Sequence, residues 1–173
     1  MSENLPKRKD LRLKNYDYSE YGAYFITICT KGKRKTLSKT VGAIHESPEI
    51  NIKLTECGEY VEKYIQISKT RFNVEINQYV IMPNHVHLII EIIPNDMRAI
   101  RESPLQSRSV ISQIVGFIKA NSSKEIHKNN PDLDVWQRGF YDHIIRDKHD
   151  YEEISKYIYE NPLKWQFDEL CTE

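Results

Sequence analysis

Two imidazoles stand one residue apart in His85-Val86-His87. In an extended strand, residues i and i+2 face the same side about 6.6–7 Å apart, so both rings can converge on one ion while Val86 points the other way. Two imidazoles fill only part of a coordination shell, which suits a catalytic ion that must also hold substrate and water. The alternative is a pair of surface histidines on a half-exposed structural strand. If an ion is held, a third protein ligand has to come from elsewhere. Tyr157 and Asn161 are four positions apart, and in a helix that spacing sets a phenol beside an amide oxygen on nearly one side. Ile154 and Ile158 mark the apolar stripe of such a helix, with Tyr157 at its flank and Tyr159 rotated well away. Against a chemical role, Tyr157 is one of 11 tyrosines, and an amphipathic tyrosine at a core edge has the same signature.

The elements that would position these residues can be read from the spacing of apolar side chains. A first strand is predicted over 23–30, rich in β-branched and aromatic residues, followed by a glycine turn. A helix follows from Thr55 to Ser68 with Thr55 as its N-cap. Strands over 74–82 and 86–93 flank the turn signal Met82-Pro83-Asn84 and are expected to pair as a hairpin. In the second of them Val86, Leu88, Ile90 and Ile92 make one apolar face, leaving His85, His87 and Glu91 with Ile89 on the other. A helix over 110–120, a strand over 140–145 and a helix over 147–160 complete the series. The last should stop where Asn161 precedes Pro162, because a residue before proline is biased out of helical geometry. The order β-α-β-β-α-β-α predicts an α+β fold of ferredoxin-like, split βαβ type: an antiparallel sheet with helices on one face, plus an added C-terminal helix.

With 173 residues the chain is expected to be one domain, 1–173, with a basic N-terminal arm over 1–20 and loops or insertions over 42–53 and 95–107. Ala43-Ile-His-Glu-Ser-Pro48 and Ala99-Ile-Arg-Glu-Ser-Pro104, which match at five of six positions, fall in those two segments. Both copies read as translated short DNA repeats, or as coincidence. No run approaches the ~20 apolar residues needed to cross a bilayer, and the amino terminus does not read as a secretory signal. A cytoplasmic setting, without membrane partners, is therefore expected. Cys29, Cys57 and Cys171 are odd in number and form no C-x-x-C pair, which argues against a disulfide framework or a cysteine zinc site and for buried thiols.

The formal net charge is zero, from 25 Lys and Arg against 25 Asp and Glu, yet the charges are segregated. Residues 1–40 carry ten Lys and Arg against four acids, whereas residues 147–173 carry three Lys against eight acids. Lys31, Lys33, Arg34 and Lys35 crowd one glycine turn, a suitable place for phosphate contacts, although solvated surface runs look the same in sequence.

Taken in order, Met82-Pro-Asn-His-Val-His-Leu88, Trp136-Gln-Arg-Gly-Phe-Tyr-Asp-His-Ile-Ile-Arg146 and Tyr157-Ile-Tyr-Glu-Asn-Pro162 resemble the REP-associated tyrosine transposases, which are single-tyrosine HUH transposases. The resemblance spans about Tyr24 to Lys164. It implies His85 and His87 as metal ligands, Asn161 as the third ligand and Tyr157 as nucleophile, with Tyr159 as the fallback should the helix register differ. It also implies a divalent ion, Mg²⁺ or Mn²⁺, and a single-stranded DNA substrate carrying hairpin or palindromic repeats. That DNA would be cleaved and rejoined through a 5′-phosphotyrosine by a monomer or homodimer. Lys31, Lys33, Arg34 and Lys35, together with Arg8 and Arg12, would hold the hairpin, and His143 and Arg146 would approach the DNA backbone or serve structure. The rival expectations are a domesticated hairpin-binding regulator that no longer cuts, and a barrel-type metal hydrolase, which at about 250 residues needs a longer chain.

Overall fold

The computed structural model describes residues 21–41, 51–93 and 109–165. Arg8 and Arg12, both copies of the internal repeat, Cys171 and most of the two expected loop segments lie outside the described residues.

β1 (Gly22–Cys29) and β6 (His85–Ile92) form the centre of a five-stranded antiparallel sheet. β7 (Tyr141–Ile145) pairs with the free side of β1. The short strands β4 (Val74–Glu75) and β5 (Tyr79–Ile81) pair in succession with the outer side of β6. This is the split βαβ order expected from the sequence. The single strand predicted over 74–82 is, however, broken in two. Between the pairs Glu75–Glu91 and Tyr79–Leu88 the edge strand advances four residues while β6 advances three. The extra residue is a bulge, and it lets Ile76 turn into the core, where it is fully buried.

The alternation along β6 decides what each sheet face meets. Val86, Leu88, Ile90 and Ile92, with Tyr24, Ile26 and Ile28 of β1, face α1 (Glu56–Phe72) and α2 (Val110–Asn129) and form the main core. α2 runs nine residues past the expected end at 120. Its stripe of Ile114 and Ile118 continues through Ser122 to Ile126, and the polar link is satisfied because Ser122 Oγ donates to the Ile118 carbonyl and accepts from Trp136 Nε1 at 3.1 Å. On the opposite face, Phe25, Ile89 and Ile145 pack under Ile154 and Ile158 of the last helix, α3 (Lys148–Lys164). α3 is thus set apart from the two other helices and covers the histidine side.

α3 does not stop at residue 160. It runs through Pro162 to Lys164, with Asn161 helical. Ile158, Asn161 and Trp165 are 2%, 2% and 5% exposed, so one continuous buried stripe outweighs the missing proline N–H in the last turn. A second departure is that residues 51–53, expected in a loop, belong to β3 (Asn51–Leu54), which pairs with β2 (Ser38–Val41) as a separate two-stranded ribbon.

The ribbon is anchored at its base by the cap of α1. The Thr55 hydroxyl accepts from Gly58 N–H at 3.2 Å and lies against the Thr36 and Leu37 carbonyls, while Thr55 N–H donates to the Leu37 carbonyl at 2.9 Å. Gly58 permits this approach, since a Cβ there would come within 2.1 Å of the Leu37 oxygen. Gly58→Ala should therefore lower stability by about 1–3 kcal/mol, despite its better helix propensity, as read from the denaturation midpoint.

Candidate active site

β6 opens on His85 and His87, and the strand alternation sends both rings to the α3 side. Their ring centroids are 4.4 Å apart, and the residues are 0% and 2% exposed. They are therefore not surface histidines on a half-exposed strand; α3 and Trp165 cover them. Each is oriented by a partner through Nδ1. His87 Nδ1 shares a 2.8 Å hydrogen bond with Thr27 Oγ1, its cross-strand neighbour on β1. His85 Nδ1 lies 2.8 Å from the side-chain oxygen of Asn84. With Nδ1 committed on both rings, Nε2 is the atom on each that is left to act as ligand or proton acceptor.

Burial, followed by the proximity of His85, pushes the His87 pKa well below its ordinary value of 6.5. The ring is accordingly neutral at neutral pH, with a lone pair available. A base depressed in the folded state takes up a proton on unfolding, so His87 contributes stability that is present above pH 6.5 and is lost on acidification below it. With chelator present, unfolding free energy should fall as pH drops from 7 toward 5, with a His87 contribution of up to about 1.4 kcal/mol per pH unit. A flat stability profile over that range would contradict the assignment.

α3 carries the remaining groups. It lies along β6 so that Tyr151 donates to Glu91 at 2.8 Å, Tyr157 reaches His87, and Trp165 packs beside His85 at 5.7 Å between ring centroids. The Tyr151 phenol, half-buried and facing the Glu91 carboxylate, is pushed up to about 12 and stays protonated as a tether. The Tyr157 hydroxyl is 3.3 Å from His87 Nε2. Its ring meets Phe25 edge-on at 6.1 Å, and Phe25 in turn stacks on His87 at 5.2 Å. Tyr157 is 43% exposed, so while its hydroxyl touches His87 the side chain remains reachable from solvent. Tyr159 is 79% exposed and rotated away. Asn161, one turn beyond Tyr157, is buried in the stripe that faces the sheet.

Two imidazoles and a phenol meet here, and the buried Asn161 amide lies one helical turn beyond the phenol. Among the described residues no group of three or more His, Cys, Asp and Glu could hold a metal ion. An ion at this place would thus be held by neutral protein donors and would draw its anionic ligands from elsewhere.

The basic turn lies directly behind the histidines. Asn84 Nδ2 donates to the Lys33 carbonyl at 3.3 Å, and the Asn84 carbonyl accepts from both Thr30 N–H and Thr30 Oγ1, at 2.8 and 3.0 Å. One buried amide therefore joins the Lys31–Lys35 turn to His85. Lys31 is engaged by Asp134, while Arg34 and Lys35 project into solvent. Arg146 is not brought to this place, and His143 borders it only through its cross-strand neighbour Phe25. His143 is opposite Phe25 and its Nε2 is 3.0 Å from Asp150 of α3, and Arg146 follows Ile145, which pairs with Ala23 at the far end of β1. Ala23 is six positions along β1 from Cys29, which lies opposite His85, roughly 20 Å along a strand. In the structure His143 serves to fasten the start of α3 to β7.

Four contributors were not singled out from sequence: Thr27, Phe25, Asn84 and Trp165. Asn84 was visible as the residue preceding the histidine pair, and Trp165 as the position four beyond Asn161. Thr27 and Phe25 depended on the register between β1 and β6.

A family model for IS200-like transposases matches residues 19–100, a segment that includes both histidines and ends before α3. An uncharacterised protein of Haemophilus influenzae is 36% identical, over 96% of this chain and 94% of its own length. A second protein of that organism, provisionally named a REP-associated tyrosine transposase, is 27% identical over 93% of this chain and 82% of its own. Among solved structures, a REP-associated tyrosine transposase bound to a REP hairpin superposes with a TM-score of 0.60 at 22% identity, covering 91% of this chain and 75% of that one. That likeness establishes a common fold.

Proposed function

Since the chain belongs to the IS200-like transposase family, we propose that it cleaves and rejoins single-stranded DNA beside a hairpin through a covalent bond to Tyr157. The observation that carries this reading is the 3.3 Å approach of the Tyr157 hydroxyl to His87 Nε2. A phenol is a weak nucleophile with an ordinary pKa near 10, and it needs its proton held or its oxygen polarised. Here the hydroxyl faces a buried neutral imidazole, in a site that α3 shields on one side and that Tyr157 itself leaves open on the other. The oxygen attacks phosphorus, the bond from phosphorus to the 3′ oxygen breaks, and the upstream strand leaves with a 3′-OH. The 5′ phosphate stays on Tyr157, so the reverse attack by a 3′-OH can rejoin strands without an external energy source.

His85, His87 and Asn161 would hold a divalent ion, Mg²⁺ or Mn²⁺, through the two Nε2 atoms and the amide oxygen; the His87 Nε2 lone pair would then serve the ion and not the Tyr157 proton, and the 3.3 Å contact marks how close the phenol stands to that place. When bound, such an ion supplies Lewis-acid polarisation of the scissile phosphate. The donor set suits this use: neutral ligands leave positions and charge for phosphate oxygens. A DNA hairpin is the substrate that fits the basic turn tied to His85, and a hairpin is the ligand named for the structural relative. The direct test is incubation of the protein with a 3′-labelled hairpin oligonucleotide and Mn²⁺, followed by denaturing electrophoresis. The label should move to the protein and remain there after denaturation. A hairpin that is bound but never covalently attached would instead identify a regulator that binds without cutting.

A further inference from the structure

The ribbon β2–β3 stands outside the five-stranded sheet and contributes no residue to the site above. Its register sets Ser38 opposite Leu54, Thr40 opposite Ile52, and Lys39 opposite Lys53. Alternation makes the first two pairs one face, anchored by buried Ser38 and by Leu54 packed on the core. Lys39 and Lys53 then share the outer face, both exposed. Like charges directly opposite one another destabilise a strand pair. On α3, by contrast, the surface lysines are matched: Lys148 with Glu152, and Lys156 and Lys164 with Glu160. Among the described residues Lys39 and Lys53 make no ion pair. The nearby Glu56 is turned toward Tyr60 and Asn129. A local rule broken with no internal compensation is the mark of a site whose partner is external.

We propose that Lys39 and Lys53 form a phosphate clamp, a second nucleic-acid contact that grips the duplex stem of the hairpin. This rests on the hairpin-DNA reading above. The occupant is argued from continuity. The ribbon prolongs the Lys31–Lys35 turn through Leu37, whose N–H is held by the Pro83 carbonyl at 2.9 Å, and the turn itself is held by Asn84 next to His85. A phosphodiester backbone lying along this strip meets Lys53, Lys39, Lys35 and Arg34 in turn and arrives at the histidine end of β6. The stem would be gripped by the ribbon while the strand at its foot enters the site.

The test uses the full chain with chelator and a fluorescent DNA hairpin carrying a single-stranded foot, titrated across a range of salt. Lys39→Gln/Lys53→Gln should reduce the slope of log affinity against log salt by about 1.8, two phosphate contacts at about 0.9 each, and weaken binding at physiological salt on the order of tenfold. Lys53→Glu should raise the melting temperature of the free protein, by converting repulsion into a cross-strand ion pair, while weakening hairpin binding further. An unchanged salt slope in the double variant overturns the clamp, and leaves the cutting reading intact if the wild-type protein still forms its adduct. A reduced slope in a protein that never forms an adduct supports the clamp and sinks the cutting reading instead. If the wild-type protein binds no hairpin at any salt, both fall.

Discussion

Tyr157→Phe abolishes covalent attachment to hairpin DNA, by a factor on the order of 10⁴ or more, the scale seen when an enzymic nucleophile is removed. The substitution deletes a single oxygen. The ring keeps its edge-on contact with Phe25, and α3 keeps its anchors at Ile158, Asn161 and the Tyr151–Glu91 hydrogen bond, so fold and hairpin affinity should be retained. The lost contact is the hydroxyl's approach to His87 Nε2. Tyr159→Phe is the matched control: its side chain is 79% exposed, and its loss should leave adduct formation at the wild-type level. An adduct that survives in the Tyr157 variant and disappears in the Tyr159 variant would transfer the role to Tyr159. Survival in both would remove tyrosine attack from the mechanism. Gel mobility of a 3′-labelled hairpin reads all three outcomes.

The second large effect is expected at the histidines. His87→Gln or His85→Gln each removes one imidazole from a donor set that has only two, and each should reduce Mn²⁺-dependent adduct formation about 100-fold or more. Loss of a group that only orients a metal ligand already costs 10–100-fold. Hairpin affinity measured in chelator should not change. Because all the protein donors are neutral, the ion should bind weakly to the protein alone and more tightly once DNA phosphate supplies anionic oxygens. Titration of Mn²⁺ with and without hairpin DNA tests this directly. Equal affinity in the two titrations, or adduct formation that is indifferent to chelator, would contradict a metal role for the pair.

The split βαβ order was legible because each element carries its own period: two along β6, and 3.6 along α1 and α3. Elements failed to be legible where a local signal was overridden from a distance. Asn161-Pro162 is a fair stop signal in isolation, yet burial of Ile158, Asn161 and Trp165 against the sheet carries α3 past it. Ser122 looks like the end of an apolar stripe until Trp136 supplies its hydrogen-bond partner. β3 alternates over only four residues, Asn51 to Leu54, too short a run to stand out in sequence, and it is a strand because β2 is alongside it.

By itself the sequence determined the chemistry that was available: two imidazoles forced onto one side of a strand, and a phenol and an amide forced onto one side of a helix. Those facts follow from backbone periodicity, which is local. Whether the two pairs meet is a question of which sheet face α3 covers, and no spacing within the chain encodes it. The tertiary structure decided it by burying Ile89 and Ile145 under Ile154 and Ile158, which brings Tyr157 to His87 and leaves Tyr159 in solvent. It also separated residues that looked alike in sequence. Lys31, Lys33, Arg34 and Lys35 fall behind His85 through Asn84, while Arg146 lies toward the other end of the strands and His143 stands beside Phe25 between them, because antiparallel pairing fixes which chain ends are neighbours.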